Sequence, residues 1–278
     1  QPVMDAVTTV PFPAPGSYHV WVRTRNWVGE WTPQHAPGSF RLMVNDHPLP
    51  PVFGTSGSEW AWHRGGPVEI TGATAQIALH DLTGFEGRCD AIVFARDGAF
   101  VPPGDLAPLT EFRRRALGFG AEPGDAGSFD LVVVGGGIAG TCAAIAGARS
   151  GLSVALIQDR PVLGGNNSSE VRVWLQGATN GRSFPRVGDL VNELETRRKA
   201  HYGPENTAEI YEDERRLGLV AAEKRICLLL NHRANGVDVR DGKIRSVVAQ
   251  DIVTSRRIRC TGQLFVDATV KDQDGKPI

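Results

Sequence analysis

Three glycines, Gly135, Gly137 and Gly140, stand at the G-x-G-x-x-G spacing directly after an apolar run, Leu131 to Val134, and open an Ala-rich stretch, Ile138 to Arg149. The chemistry that this spacing serves is the binding of a pyrophosphate. Gly135 permits a tight turn, Gly137 lets the anion approach the backbone, and Gly140 lets a helix pack closely on a strand. Backbone N–H groups around Ile138 and Ala139, at the positive end of a helix dipole, would hold the phosphates. An acidic residue about 20 positions on, at the end of the next strand, ordinarily binds the adenosine ribose. Here Gln158 ends that strand and the acid is displaced to Asp159. Gln158 can donate and accept toward ribose hydroxyls, and Arg160 adds a charge that a 2′-phosphate or solvent could meet.

A second glycine-rich loop follows closely: Pro161, Val162, Leu163, Gly164, Gly165, Asn166, Asn167, Ser168, Ser169 and Glu170. Together, DLVVVGGGIAGTCAAIAGARSGLSVALIQDR and VLGGNNSSE resemble the FAD-dependent oxidoreductase family with the glutathione-reductase-type Rossmann fold, over roughly Phe129 to Thr269. The resemblance implies FAD as cofactor, with the second loop lying along it toward the flavin. It assigns cofactor contacts to Gly164, Gly165, Asn166 and Ser168, and an adenine contact to the strand LLLNHRANGV near Ala234. LFVDAT is similar to the strand that returns to the cofactor. The family usually continues there with Thr-Gly-Asp, whereas this chain reads Thr269, Val270, Lys271 and ends at Ile278. The expectation is a fragment whose second FAD contact, substrate domain and closing helix are missing or altered, which binds FAD weakly at best through its adenosine end and does not turn over alone. Asn167-Ser168-Ser169 also spells a glycosylation sequon, and cofactor contact is the preferred reading beside a phosphate loop.

No catalytic acid or base stands out. Glu170, Arg172, His201 and Tyr202 could approach a flavin, but each reads better as a salt-bridge or surface residue. The four cysteines, Cys89, Cys142, Cys227 and Cys260, lie far apart without a C-x-x-C pair, which argues against a zinc ribbon, a redox pair or a disulfide scaffold. They read as buried free thiols, and no metal set is expected. A formal charge of −1 leaves no basic field to collect nucleic acid, and no run approaches the length of a membrane-spanning helix. The compartment stays open.

Two kinds of sequence position these motifs. Residues 1–101 alternate in short strands, with Tyr18, Val20 and Val22 on one face and Phe40, Leu42 and Val44 on another, punctuated by much of a load of 33 Gly and 18 Pro. Val68 to Ile70, Gln76 to His80 and Asp90 to Ala95 add three more strands. The expectation is an all-β sandwich, loosely similar to jelly-roll carbohydrate-binding modules through ALHDLTGFEGRCDAIVF. Trp21, Trp27, Trp31, Trp60 and Trp62 crowd into this half; most are assigned to a small core, and exposed ones could stack on a sugar ring. Residues 102–128 read as a linker with a turn or two of helix, in which Arg113, Arg114 and Arg115 form a solvated face. Residues 129–278 carry a βαβ unit, hence a parallel sheet, later helices around Leu190 to Leu194 and Leu217 to Ala221, a strand from Cys227 to Leu230, and a β-meander turned at Asp241 and Gly242. The fold class is therefore α/β, a Rossmann-type FAD-binding domain behind a β-sandwich. The function is FAD-dependent oxidation or reduction of a small organic molecule, a carbohydrate-related one among the candidates. Rival readings are a glycan-binding protein with a remnant nucleotide domain, and an NAD-dependent dehydrogenase or lyase.

Overall fold

The computed structural model describes residues 3–177, 185–186, 188–198 and 203–269. The chain divides into two compact units, Gln1–Phe119 and Gly120–Ile278.

In the first unit, strands β1 (Ala6–Pro11), β2 (Gly16–Thr24), β3 (Phe40–Val44), β4 (His47–Pro48), β5 (Ala61–Ile70), β6 (Thr74–Asp81) and β7 (Cys89–Ala95) precede helix α1 (Leu106–Ala116). They form two antiparallel sheets, ordered β1-β6-β3-β4 and β5-β2-β7. Alternation along β2 and β3 sends Tyr18, Val20, Val22, Phe40, Leu42 and Val44 into one core shared by both sheets, with Ile70 and Ile77. Asn45 and Asp46, both at positive φ, make the tight turn between β3 and β4. The stretch read as a linker holds the 11-residue α1 and the start of the next strand. Its arginines are paired: Arg113 with Asp90 at 2.9 Å, and Arg114 and Arg115 with Glu111 at 2.6 Å each. Those two guanidinium partners hold the Glu111 carboxyl down to about 2.

The tryptophans divide as well. Trp21 is buried under Arg64, Trp60 lies against Arg23 and Arg25, Trp27 packs on Phe85, and Trp62 donates its Nε1–H to the Pro103 carbonyl at 2.9 Å. Trp31 is 70% exposed.

The second unit contains β8 (Gly124–Val134), α2 (Ile138–Arg149), β9 (Val154–Ile157), α3 (Asp189–Leu194), α4 (Asp213–Ala222), β10 (Ile226–Leu229), β11 (His232–Arg240), β12 (Lys243–Asp251) and β13 (Arg257–Asp267). They form one six-stranded sheet ordered β10-β9-β8-β13-β12-β11. The pairs β10–β9, β9–β8 and β8–β13 are parallel, whereas β12 and β11 run antiparallel, so the expected parallel strands and the expected meander belong to one mixed sheet. The apolar runs of β8 and β9 are continuous because both faces are covered. Leu131, Val133, Val154 and Leu156 face Ala144, Ile145 and Ala148 of α2. Val132, Ala155 and Ile157 face Val247 and Ala249 of β12. Each such fully buried aliphatic contributes on the order of 2 kcal/mol by area. Arg257 to Cys260 and Leu264 to Ala268, expected as separate strands, are the single strand β13 up to Asp267. The reason is β8, which begins at Gly124 and gives β13 a partner along its whole length. Asp241 and Gly242, both at positive φ, turn β11 into β12 as expected.

Candidate functional site

β8 ends at Val134 and α2 begins at Ile138, and the residues between them build the site. Gly135 has φ +101°, and a Cβ there would meet the Ala268 carbonyl oxygen at 2.7 Å. Gly136 lies against Leu163 and Gln158, where a Cβ would meet side-chain carbons at 2.7 and 2.9 Å. Gly140 is tighter still, since a Cβ would lie 1.8 Å from the Gly135 oxygen. Protein packing thus accounts for three of the four glycines. Gly137 is different: its φ of −62° suits any residue, and an added Cβ would meet nothing within 4 Å. Among the described residues, no protein atom forbids a side chain at Gly137.

Gly137 is also the N-cap of α2, and no side chain caps this helix. The N–H groups of Ile138, Ala139 and Gly140 therefore have no acceptor within the helix. The Gly136 carbonyl receives the Gly164 N–H at 2.8 Å and the Thr141 hydroxyl at 3.1 Å. In a trans peptide the following N–H points the opposite way, so the Gly137 N–H is turned away from these partners. Open space, uncapped N–H groups and the positive end of the helix dipole fit the pyrophosphate of a dinucleotide.

The second glycine loop rests on the first. Gly137 and Gly164 form an isolated parallel bridge, and a Cβ on Gly165 would lie 3.2 Å from the Gly137 Cα. Gly164 has φ +109°, and a side chain there would strike the Asn167 carbonyl and the Arg216 guanidinium. Arg216, on α4, is fully buried and donates to the Asn167 carbonyl, to the Asn167 side-chain oxygen and, at 3.1 Å, to the Leu194 carbonyl. Asp213, one turn earlier, sits 3.7 Å from Arg216 and accepts the Ser169 N–H. Burial lowers the Arg216 pKa from its usual value, opposed by the Asp213 charge.

The residues singled out in the sequence therefore divide. Gly165 is half-buried and Asn166 exposed, both within reach of a ligand. Ser168 is fully buried, with its hydroxyl donating to the Gly165 carbonyl at 2.6 Å. Gln158, 4% exposed, turns its side chain inward, accepting the Gly136 N–H at 2.8 Å and donating to the Val162 carbonyl at 3.0 Å. Asp159 is exposed, and Arg160 faces Glu170 at 3.7 Å. Ala234 is half-buried on β11, a strand whose first N–H, from His232, bonds the Gln158 carbonyl at 2.9 Å. Arg172 has φ +60° and its Nε donates to the Ser169 carbonyl at 3.0 Å. His201, Tyr202 and Val270 to Ile278 lie outside the described residues. Arg216 escaped sequence reasoning because an arginine in a charged stretch reads as surface; its one signal is the i,i+4 spacing to the buried Val220.

All four cysteines are free. Burial pushes the Cys89 and Cys260 thiols up to about 11 and raises Cys142 and Cys227 as well, so none is poised as a thiolate nucleophile. A groove of about 890 Å³ lies on the meander, lined by Asn235, Asp238, Arg240, Ser246, Arg257 and Arg259 among others. None of its lining residues belongs to a glycine loop, and two ion pairs lie within it, Arg240 with Asp238 at 3.1 Å and Arg259 with Glu122 at 3.0 Å.

Comparison with known proteins bears on the same unit. The chain is similar in part to a geranylgeranyl bacteriochlorophyll reductase-like protein from Thermoplasma acidophilum (20% identity over 51% of this chain and 39% of that one, TM-score 0.36). It is similar also to quinol fumarate reductase from E. coli (16%, 52% and 33%, 0.37) and to a 3-ketosteroid dehydrogenase from Rhodococcus jostii (14%, 54% and 48%, 0.37). The chain thus spans less than half the length of each of these proteins, and at such scores the likenesses carry no argument. No curated protein matches the chain. The family model described as FAD dependent oxidoreductase matches residues 130–273, just over half of the chain and the whole of the glycine-loop region. By that match the chain belongs to the FAD dependent oxidoreductase family, and the cofactor of its second unit is FAD.

Proposed function

We propose that this chain binds FAD across the two glycine loops and serves an oxidoreductase acting on a small organic substrate. The observation that carries this reading is Gly137, a glycine that neither its backbone nor its protein neighbours require, at an uncapped helix N-terminus. The Gly137, Ile138, Ala139 and Gly140 N–H groups hold the pyrophosphate, with Gly135 shaping the turn. Gly165 and Asn166 line its path toward the flavin, while Gly164 and Ser168 support them from within. Asp159, Arg160 and the Ala234 backbone lie toward the adenosine end. FAD supplies the hydride or electron exchange when bound. The chain's part is to orient it and neutralise its phosphates. The second unit is read as the glutathione-reductase type of Rossmann fold, a reading supported by its three-stranded meander packed on the parallel strands. A test is anaerobic mixing of the FAD-loaded chain with sugars, organic acids and pyridine nucleotides. Loss of the flavin's visible absorption with one of them supports the reading; a chain that binds no FAD refutes it.

The first unit is read as a jelly-roll-like sandwich that presents a surface to a glycan, supported by its two sheets around one core and by Trp31, which is 70% exposed. Tryptophan fluorescence that no polysaccharide alters would leave this unit without that role.

A further inference from the structure

We propose that Gln158 is a positioning residue that sets the pyrophosphate loop, and that it is not the group that reads the adenosine ribose. The proposal rests on the FAD reading above. The sequence places Gln158 where a ribose-binding acid ordinarily stands, at the end of β9. Both backbone groups and both ends of the side chain are engaged with protein. Its N–H donates to the Leu229 carbonyl at 2.9 Å, and its carbonyl accepts the His232 N–H at 2.9 Å. Its Oε1 accepts the Gly136 N–H at 2.8 Å, and its Nε2 donates to the Val162 carbonyl at 3.0 Å. One residue thereby ties the end of β9 to β10, to β11, to the first glycine loop and to the chain entering the second.

The two side-chain bonds need an acceptor and a donor in the same group. An amide offers both, whereas an ionised carboxylate only accepts. A glutamate here would still take the Gly136 N–H, but its second oxygen would face the Val162 carbonyl with no proton between them. At 4% exposure water cannot relieve that opposition. The glutamine is thus the residue that the brace requires. Its target is the peptide between Gly135 and Gly136: holding that N–H on one side of the turn, next to the Gly136–Gly137 peptide whose carbonyl Gly164 and Thr141 hold, fixes the path of the loop into Gly137.

The test uses ADP and 2′-deoxy-ADP as probes, titrated by calorimetry into the wild type, Gln158→Glu and Gln158→Met at a temperature where melting curves show each protein folded. A brace serves both ligands, so each variant weakens both by the same factor, tenfold or more. In the ligand-free protein, Gln158→Met also speeds hydrogen exchange at the Gly136 amide. A loss confined to ADP, with 2′-deoxy-ADP bound as before, would make Gln158 a ribose reader and overturn the proposal. Unchanged affinity for both ligands would overturn it equally. If Gln158→Met fails to fold, Gln158→Asn, which keeps an amide but cannot span both partners, takes its place with the same expected losses. A wild type that binds neither FAD nor ADP brings down the FAD reading instead, and this inference with it.

Discussion

Replacing Gly137 by alanine separates binding from folding more cleanly than any other change in the first glycine loop. The added methyl meets no atom within 4 Å, and φ of −62° is ordinary for alanine. Alanine is a poorer N-cap than glycine, costing roughly 0.5–1 kcal/mol. Restricting the unfolded chain returns about 0.4–1 kcal/mol. The two offset, so the melting temperature of the ligand-free second unit should stay within about 3 °C of wild type. Binding is another matter, because the methyl occupies the space in which the pyrophosphate would touch the backbone. Hydrogen bonds to a charged group are worth about 1.5–3 kcal/mol each. Loss of one of them raises the FAD dissociation constant about 10-fold or more, and loss of two about 100-fold or more. Calorimetric titration with FAD, paired with thermal melts of the ligand-free protein, reads both quantities. Wild-type affinity in Gly137→Ala would refute the reasoning, and so would a large drop in melting temperature, which would mean that the space is filled by protein.

Gly140→Ala should do the reverse, lowering the melting temperature of the ligand-free second unit by 10 °C or more, because the new methyl would lie 1.8 Å from the Gly135 oxygen. Arg216→Met strands the Asn167 carbonyl and side-chain oxygen under the second loop; loss of about 3–5 kcal/mol is expected, read by denaturant unfolding of the second unit. With thiols held up to about 11, Cys89 and Cys260 should resist alkylation at neutral pH until the protein is denatured, as mass spectrometry would show. The Glu111 carboxyl, held near 2, lies below its unfolded value of 4.5, so its contribution to the first unit is present above pH 4.5 and is lost as pH falls toward 2; Glu111→Gln should flatten acid unfolding in that window.

Much of the second unit was legible because its signals are local. An apolar strand, three spaced glycines and an Ala-rich helix specify a βαβ turn within some 20 residues, and the structure builds it from β8, α2 and β9. The glycine roles at Gly135 and Gly140 follow from the same geometry. What stayed hidden depends on contacts between distant segments. Gln158 reads as a ligand-facing amide until Val162 and Gly136 are seen to occupy it. Arg216 reads as surface until α4 is packed under Asn167. The fusion of two expected strands into β13 required knowing that β8 begins at Gly124, inside a stretch whose Gly and Pro suggested a connector. In the first unit, alternation placed the inward residues of β2 and β3, whereas the cover over Trp21 and Trp60 comes from arginines distant in sequence or across the sheet.

The central claim is that the open space at Gly137 belongs to FAD. The most direct measurement is the flavin released on denaturing the purified wild-type chain after incubation with excess FAD and removal of the unbound cofactor, set beside the same measurement on Gly137→Val. Flavin retained by the wild type and close to none retained by the folded variant is the expected result. Equal flavin in both, or none in the wild type, would contradict it.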